Sequence, residues 1–114
     1  MVSRNHPVSL NLDFQGNEIK DQQLGAMVFR IIQELVTNSI KHSQCKTISI
    51  DINVSSSFIQ ITYRDDGIGF DPDKVIPGLG LSNIRSRVES LEGDINLKSD
   101  TEGTCYSIHL PLKG

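Results

Sequence analysis

Residues 30–43 read RIIQELVTNSIKHS, and two patterns run through them at once. Ile31, Ile32, Leu35 and Ser39 continue a series begun by Leu24, Met27 and Val28, recurring at spacings of three and four. That period predicts a helix from Asp21 to about His42 with one stripe against a core, and Asp21 suits its N-cap. Glu34, Asn38, Lys41 and His42 form a second stripe, stacked along the edge of the buried face. A helix with so broad an apolar stripe needs a second layer to cover it.

The flanking sequence supplies that layer. Ile48, Ile50, Ile52 and Val54 alternate with Ser49, Asp51 and Asn53, the period of a half-buried strand. Past the short turn at Ser55–Ser57, a strand from Phe58 to Arg64 puts Ile59, Ile61 and Tyr63 on one face, which makes a hairpin. A second hairpin joins Asp94–Lys98 to Thr104–Leu110 around Asp100–Gly103, with Thr104, Tyr106, Ile108 and Leu110 sharing a face and Pro111 ending the strand. Val8, Leu10, Leu12 and Phe14 give a weaker alternation and a fifth strand. A second helix is expected from about Leu79 to Leu91, with Leu81, Ile84, Val88 and Leu91 inward and Arg85, Arg87, Glu89 and Glu92 outward. Gly93 stops it in the manner of a C′ glycine. This order predicts a two-layer α/β sandwich: a mixed sheet of about five strands covered on one face by helices.

A chain of 114 residues and 12.6 kDa is one domain, expected to span 1–114. Its 37% hydrophobic and 22% charged residues are those of a globular protein rather than a disordered one. A net charge of -3 argues against a duplex-binding module with a basic stripe. No stretch has the ~20 apolar residues that cross a bilayer, and no signal-peptide core stands at the N-terminus. Cys45 and Cys105 are too far apart for a CxxC or zinc pattern and read as reduced, small apolar fillers in a cytosolic setting. There is no internal repeat.

Four places carry chemistry. Along the helix edge, a carboxylate, an amide and an ammonium at Glu34, Asn38 and Lys41 suit a magnesium ion shared with a polyphosphate, though a solvated helix face has the same look. Asp65-Asp66-Gly67-Ile68-Gly69 ends a strand with two glycines that let a ligand approach the backbone. There Asp65 could accept a hydrogen bond from an exocyclic amine, selecting adenine over guanine; the plainer alternative is a tight turn. Gly78-Leu79-Gly80-Leu81 opens the second helix, where first-turn amides and the helix dipole seat an anion, or where a lid merely hinges. Gly103-Thr104 opens the last strand, with a hydroxyl able to reach the cleft of Asp65. Neither a GxGxxG nor a GxxxxGK[ST] pattern is present.

Taken in order, the ExxxN helix, the DxGxG turn, the GxGL helix start and the late Gly-Thr resemble the ATP-binding domain shared by sensor histidine kinases, gyrase, Hsp90 and MutL, the Bergerat or GHKL fold. The resemblance covers about residue 7 to the end. RIIQELVTNSIKHS and GLGLSNIRSRVESLEG are similar to the histidine kinases that pair with response regulators carrying helix-turn-helix domains. The resemblance implies ATP and Mg²⁺ as ligands. It implies Asn38 as metal ligand, Glu34 as holder of a metal-bound water or aid to proton transfer, and Lys41, with His42, as phosphate contacts. Asp65 would bind the adenine amine, supported by Gly67, Gly69 and Thr104, while Gly78, Gly80 and Leu81 would cradle the triphosphate. Asp66 stands where the family usually has Asn, which puts a metal or phosphate role there in doubt.

The family's phosphoacceptor histidine lies on a preceding helical dimerisation domain, absent here; His6 and His109 lack the helical His-Asp setting of an acceptor. The resemblance therefore implies a catalytic half, serving a phosphoacceptor domain in cis or trans and, through it, a response regulator. It also implies no nucleic-acid or membrane contact by this domain, a cytoplasmic site of action, and a longer homodimeric protein that could be membrane-anchored. The short lid from Phe70 to Pro77 suits an acceptor arriving from outside, so the isolated chain is expected mainly to bind ATP. The competing assignments are an anti-sigma-factor serine kinase of the same fold and an interaction domain that has lost its nucleotide.

Overall fold

Alternation decides which side of each strand turns inward, and the computed structural model, which describes residues 7–69 and 81–112, follows it closely. The elements are β1 (Ser9–Gly16), α1 (Gln22–His42), β2 (Thr47–Val54), β3 (Phe58–Asp65), α2 (Leu81–Ser90), β4 (Asp94–Asp100) and β5 (Gly103–Pro111). The strands form one sheet in the order β1-β2-β3-β5-β4. β1 runs parallel to β2 and every other pairing is antiparallel.

Register turns the sheet into rows. Phe14, Ile52, Ile61, Ile108 and Ile95 lie side by side across all five strands, and Leu12, Ile50, Tyr63, Tyr106 and Leu97 make the next apolar row. The row after that reads Leu10, Ile48, Asp65, Thr104 and Ser99. The inward face thus changes from apolar to polar at one end of β3, β5 and β4. α1 and α2 cover the apolar rows: Ile31, Leu35, Ile59, Ile61, Tyr63, Ile84, Val88, Ile108 and Leu110 are all 0% exposed. Below the polar row the Tyr63 and Tyr106 rings meet edge-on, 5.9 Å between centroids.

Asp21 caps α1, accepting from the backbone amides of Gln23 and Leu24. α2 begins at Leu81, and Leu79, where its start was expected, lies outside the described residues. Its end corrects the sequence expectation in one detail. The left-handed residue is Glu92 (φ 60), and the Gly93 amide reaches back to the Val88 carbonyl, so Gly93 stands one place past C′. Gly93 is needed because a Cβ there would press on the His109 carbonyl and the Leu110 side chain. Three strands run past their predicted ends, to Asp65, Asp100 and Pro111.

Two further expectations change. Cys45 is buried in the core, but Cys105 sits half-buried on the other face of β5, because its register position is out of phase with Tyr106 and Ile108. On β1 the alternation is real but uncovered: Leu10, Leu12 and Phe14 are 55%, 61% and 47% exposed. No helix among the described residues is long and apolar enough to cross a membrane.

Candidate functional site

The core stripe of α1 fixes its rotation, and that rotation brings its last turns over the polar end of β3. Ser39, in register with the apolar stripe, donates to Asp65 Oδ2 at 2.6 Å. Gly67 N–H donates to Asp65 Oδ1 at 3.0 Å. The Tyr63 hydroxyl lies 2.7 Å from Ser39 Oγ and donates to the Leu35 carbonyl at 3.0 Å. Each hydroxyl carries one proton: Ser39 gives its own to the carboxylate, so the single Tyr63 proton is shared between the Leu35 carbonyl and Ser39 Oγ. Burial, with Asp65 nearby, pushes the Tyr63 hydroxyl well above its ordinary pKa, so it stays a neutral donor. Asp65, Ser39 and Tyr63 are 6%, 3% and 0% exposed, so both oxygens of Asp65 are held from the protein side. Tyr63→Phe leaves the buried Leu35 carbonyl short of a donor and is expected to remove about 1–2 kcal/mol of stability, read as a thermal midpoint several degrees lower.

Thr104 lies beside Asp65 across the β3–β5 ladder, buried, with its hydroxyl 2.8 Å from Ser99 Oγ. The turn after Asp65 closes tightly on its surroundings. A Cβ at Gly67 would collide with Ser43, and Gly69, at φ 72, lies against the Asp100 carbonyl, so both positions require glycine. The Ile68 amide bonds the Ser43 carbonyl at 2.8 Å and ties this turn to the end of α1.

Next to Ser39, Asn38 is 8% exposed and its Nδ2 has no partner. One turn back, Glu34 Oε1 receives both Arg87 Nε at 3.1 Å and Arg87 Nη2 at 3.0 Å, while the other oxygen, Oε2, is buried without a partner. Arg87 was expected to face outward; it folds onto Glu34 and links α2 to α1. Buried polar atoms without partners cost about 1–3 kcal/mol each, so two of them on one helix stripe make this stretch of α1 a candidate ligand site. Among the described residues no group of three or more His, Cys, Asp or Glu side chains is arranged to hold a metal.

Not all the predicted site residues gather here. Lys41 and His42 are exposed in the last turn of α1, a place that suits the helix dipole, and neither side chain makes a hydrogen bond or ion pair among the described residues. Leu81 is the first residue of α2, while Gly78, Gly80 and the lid at 70–77 lie outside the described residues, as does His6. His109 is exposed and bonds Gln60 on the outer face.

Asp66 lies beside Asp65 and bonds the backbone. Its Oδ1 accepts the amides of Lys46 and Thr47 at 2.8 and 2.9 Å, pinning the entry to β2. These two bonds, first Thr47 and then Lys46, hold its carboxyl below the ordinary value of 3.8. A carboxyl lowered by folding stabilises at neutral pH, and that contribution is lost as pH falls through the folded value. The gap in melting temperature between the parent and Asp66→Asn should therefore be open near neutrality and close at acid pH, below the ordinary carboxylate range.

A cleft of about 860 Å³ lies elsewhere. Ile59, Val54, Met27 and Leu112 line it, at the far end of β3, roughly 20 Å along the strand from Asp65. Polar residues such as Asn17, Gln23 and Ser55 share its lining, but it holds none of the buried unpartnered polar atoms found on Asn38 and Glu34.

Fold and site together define a two-layer α/β sandwich with a cluster of buried polar groups where the C-terminal end of a long helix crosses the end of a buried strand. The family described as Histidine kinase-, DNA gyrase B-, and HSP90-like ATPase matches residues 24–114, and the chain belongs to that family. Sensor histidine kinase ComP of Bacillus subtilis (strain 168) is 33% identical over 108 residues, covering 92% of this chain and 13% of ComP. Signal transduction histidine-protein kinase/phosphatase DegS of the same organism is 33% identical over 104 residues, covering 83% of this chain and 27% of DegS. The chain thus spans 27% or less of the length of these relatives. Among solved structures, the Acinetobacter baumannii histidine kinase AdeS superposes with a TM-score of 0.78 at 19% identity, over 96% of this chain and 57% of AdeS. The Erythrobacter litoralis EL346 blue-light activated histidine kinase gives 0.77 at 22% identity, over 92% and 38%. The predicted fold class is therefore the observed one, shared with histidine kinases.

Proposed function

We propose that this chain is the ATP-binding catalytic domain of a two-component sensor histidine kinase, presenting the γ-phosphate of Mg-ATP to a histidine on a separate dimerisation domain. The observation that carries this is the pairing of a carboxylate locked from behind, at Asp65, with unpartnered buried polar atoms on Asn38 and Glu34 one helix away. Asp65, with both oxygens oriented by Ser39 and Gly67, accepts the exocyclic amine of adenine. Gly67 and Gly69 keep the turn low enough for the base, and Thr104 offers a hydroxyl beside it. Lys41 and His42, exposed at the end of the α1 stripe, reach toward phosphate, with Gly78, Gly80 and the amides at Leu81 as the anion seat.

The donor set fits Mg²⁺, a hard ion that needs few protein oxygens when phosphates supply others. Asn38, its amide turned to present Oδ1, would hold the ion, and Glu34 Oε2 would hold one of its waters. When bound, the ion neutralises phosphate charge. Arg87 keeps Glu34 oriented toward the cleft through Oε1, and Glu34 is placed to assist proton movement. Phosphoryl transfer asks chiefly for this positioning and charge neutralisation. The wider assignments follow from the same proposal: relay to a response regulator, a homodimeric longer protein, and a cytoplasmic site of action.

The test is to incubate the chain with γ-labelled ATP, Mg²⁺ and a helical phosphoacceptor domain from the same protein. Label on the acceptor that is lost in acid and survives base supports a histidine kinase. Acid-stable label on serine of a protein substrate supports the anti-sigma-type kinase instead, and absence of both labelling and nucleotide binding leaves an interaction domain.

A further inference from the structure

The two edges of the sheet are defended very differently. β4 carries Asp94, Lys98 and Asp100, and its inward residues Ile95 and Leu97 are half-buried. β1 reads SLNLDFQG, with Asp13 as its one charge and no proline, and every residue is exposed. Such a strand, long and apolar on one face, is a template for further pairing.

Backbone parity sets which groups are available. The Ser9 amide bonds the Lys46 carbonyl and the Asn17 amide the Val54 carbonyl, so odd-numbered residues of β1 turn their amides toward β2. The N–H and C=O groups of Leu10, Leu12 and Phe14 therefore point to the open edge. The side chains of these three residues lie on the helix-bearing face, because their ladder partners Ile48, Ile50 and Ile52 are buried there. Phe29 and Ile40, 64% and 58% exposed, lie on the flank of α1 turned away from Glu34.

We propose that β1 is a homodimer interface, in which two copies of this chain join their sheets edge to edge, antiparallel, about a two-fold axis at Leu12. A second copy fits because the strand is self-complementary in that register. Leu12 faces Leu12 of the other copy and Leu10 faces Phe14, each pair exchanging both backbone hydrogen bonds and matching apolar side chains. On the polar face Asp13 falls opposite Asn11, so the strand's one charge never meets itself. A shift of two residues in one direction would set Asp13 against Asp13, and a shift in the other would set Phe14 against Val8, which precedes β1 and is packed against the core. The interface is independent of the nucleotide assignment, since it uses the edge strand remote from Thr104 and α2.

Sedimentation of the 114-residue chain from micromolar to near-millimolar concentration tests it. The parent should dimerise reversibly. Leu12→Lys, which places two ammonium groups face to face, should weaken the dimer by about tenfold or more. Asn11→Asp should weaken it roughly fivefold and Asn11→Lys strengthen it by a similar factor, through Asp13 of the other copy. Asn96→Lys on β4 should change nothing. A parent that stays monomeric throughout overturns the proposal and leaves the edge to a strand from another protein. A dimer indifferent to Leu12→Lys places the contact elsewhere, and one that ignores the sign of the charge at position 11 refutes the register. Asn11 is exposed, so its variants read the interface even where Leu12→Lys disturbs folding.

Discussion

Asp65→Asn is expected to weaken ATP binding by roughly 100-fold and to abolish the preference for ATP over GTP, while the domain stays folded. The buried carboxylate accepts Ser39 Oγ–H on one oxygen and Gly67 N–H on the other. An amide can satisfy only one of them in the same way. It keeps its oxygen on Gly67 and offers its N–H to Ser39, whose hydroxyl then swings toward Tyr63. That rearrangement costs stability of about 1–2 kcal/mol. Toward the base the loss is larger, because a charge-assisted hydrogen bond of about 1.5–3 kcal/mol disappears and a donor comes to face the exocyclic amine. Calorimetric titration with each nucleotide, beside a thermal melt, separates the two effects. Unchanged ATP affinity in a folded variant would remove Asp65 from the pocket.

Asn38→Ala is the second large effect. Affinity for ATP with Mg²⁺ present should fall about 10–100-fold, whereas affinity in chelator should change little, so the gain from metal nearly vanishes. Truncation also removes the buried Nδ2 that has no partner in the free protein. Stability should therefore hold or rise slightly, which a melt without nucleotide would show. Equal losses with and without metal would mean that Asn38 touches the nucleotide or shapes the cleft, and holds no ion.

The fold was legible because its signals are local. The period of α1 and the alternation of β2, β3 and β5 each report a face, and rows such as Ile52–Ile61–Ile108 only bring equivalent faces into register. Asp65 and the two glycines after it were legible for the same reason, since a strand end and its turn are short-range. Ser39 and Tyr63 fall in the apolar periods of α1 and β3, so the sequence pattern marks them only as core positions. The available signal was a hydroxyl at the inward position on α1 nearest the end of β3 and another, two residues before the carboxylate, on that strand. Arg87 was unreadable, because a helical period sorts inward from outward but cannot show that a long side chain bends across to Glu34. Asp66 likewise acts on the Lys46 and Thr47 amides, neighbours that exist only once β2 and β3 have paired. The exposure of β1 was hidden because alternation marks an apolar face without saying whether a helix reaches it.

Amide chemical shifts during titration with Mg-ATP test most directly whether Asp65 and Asn38 border one nucleotide cleft. The shifts should concentrate at Asn38, Ser39, Gly67 and Thr104, with GTP giving much weaker changes at equal concentration. Shifts confined to Met27, Val54, Ile59 and Leu112, in the cleft at the opposite end of β3, would contradict it.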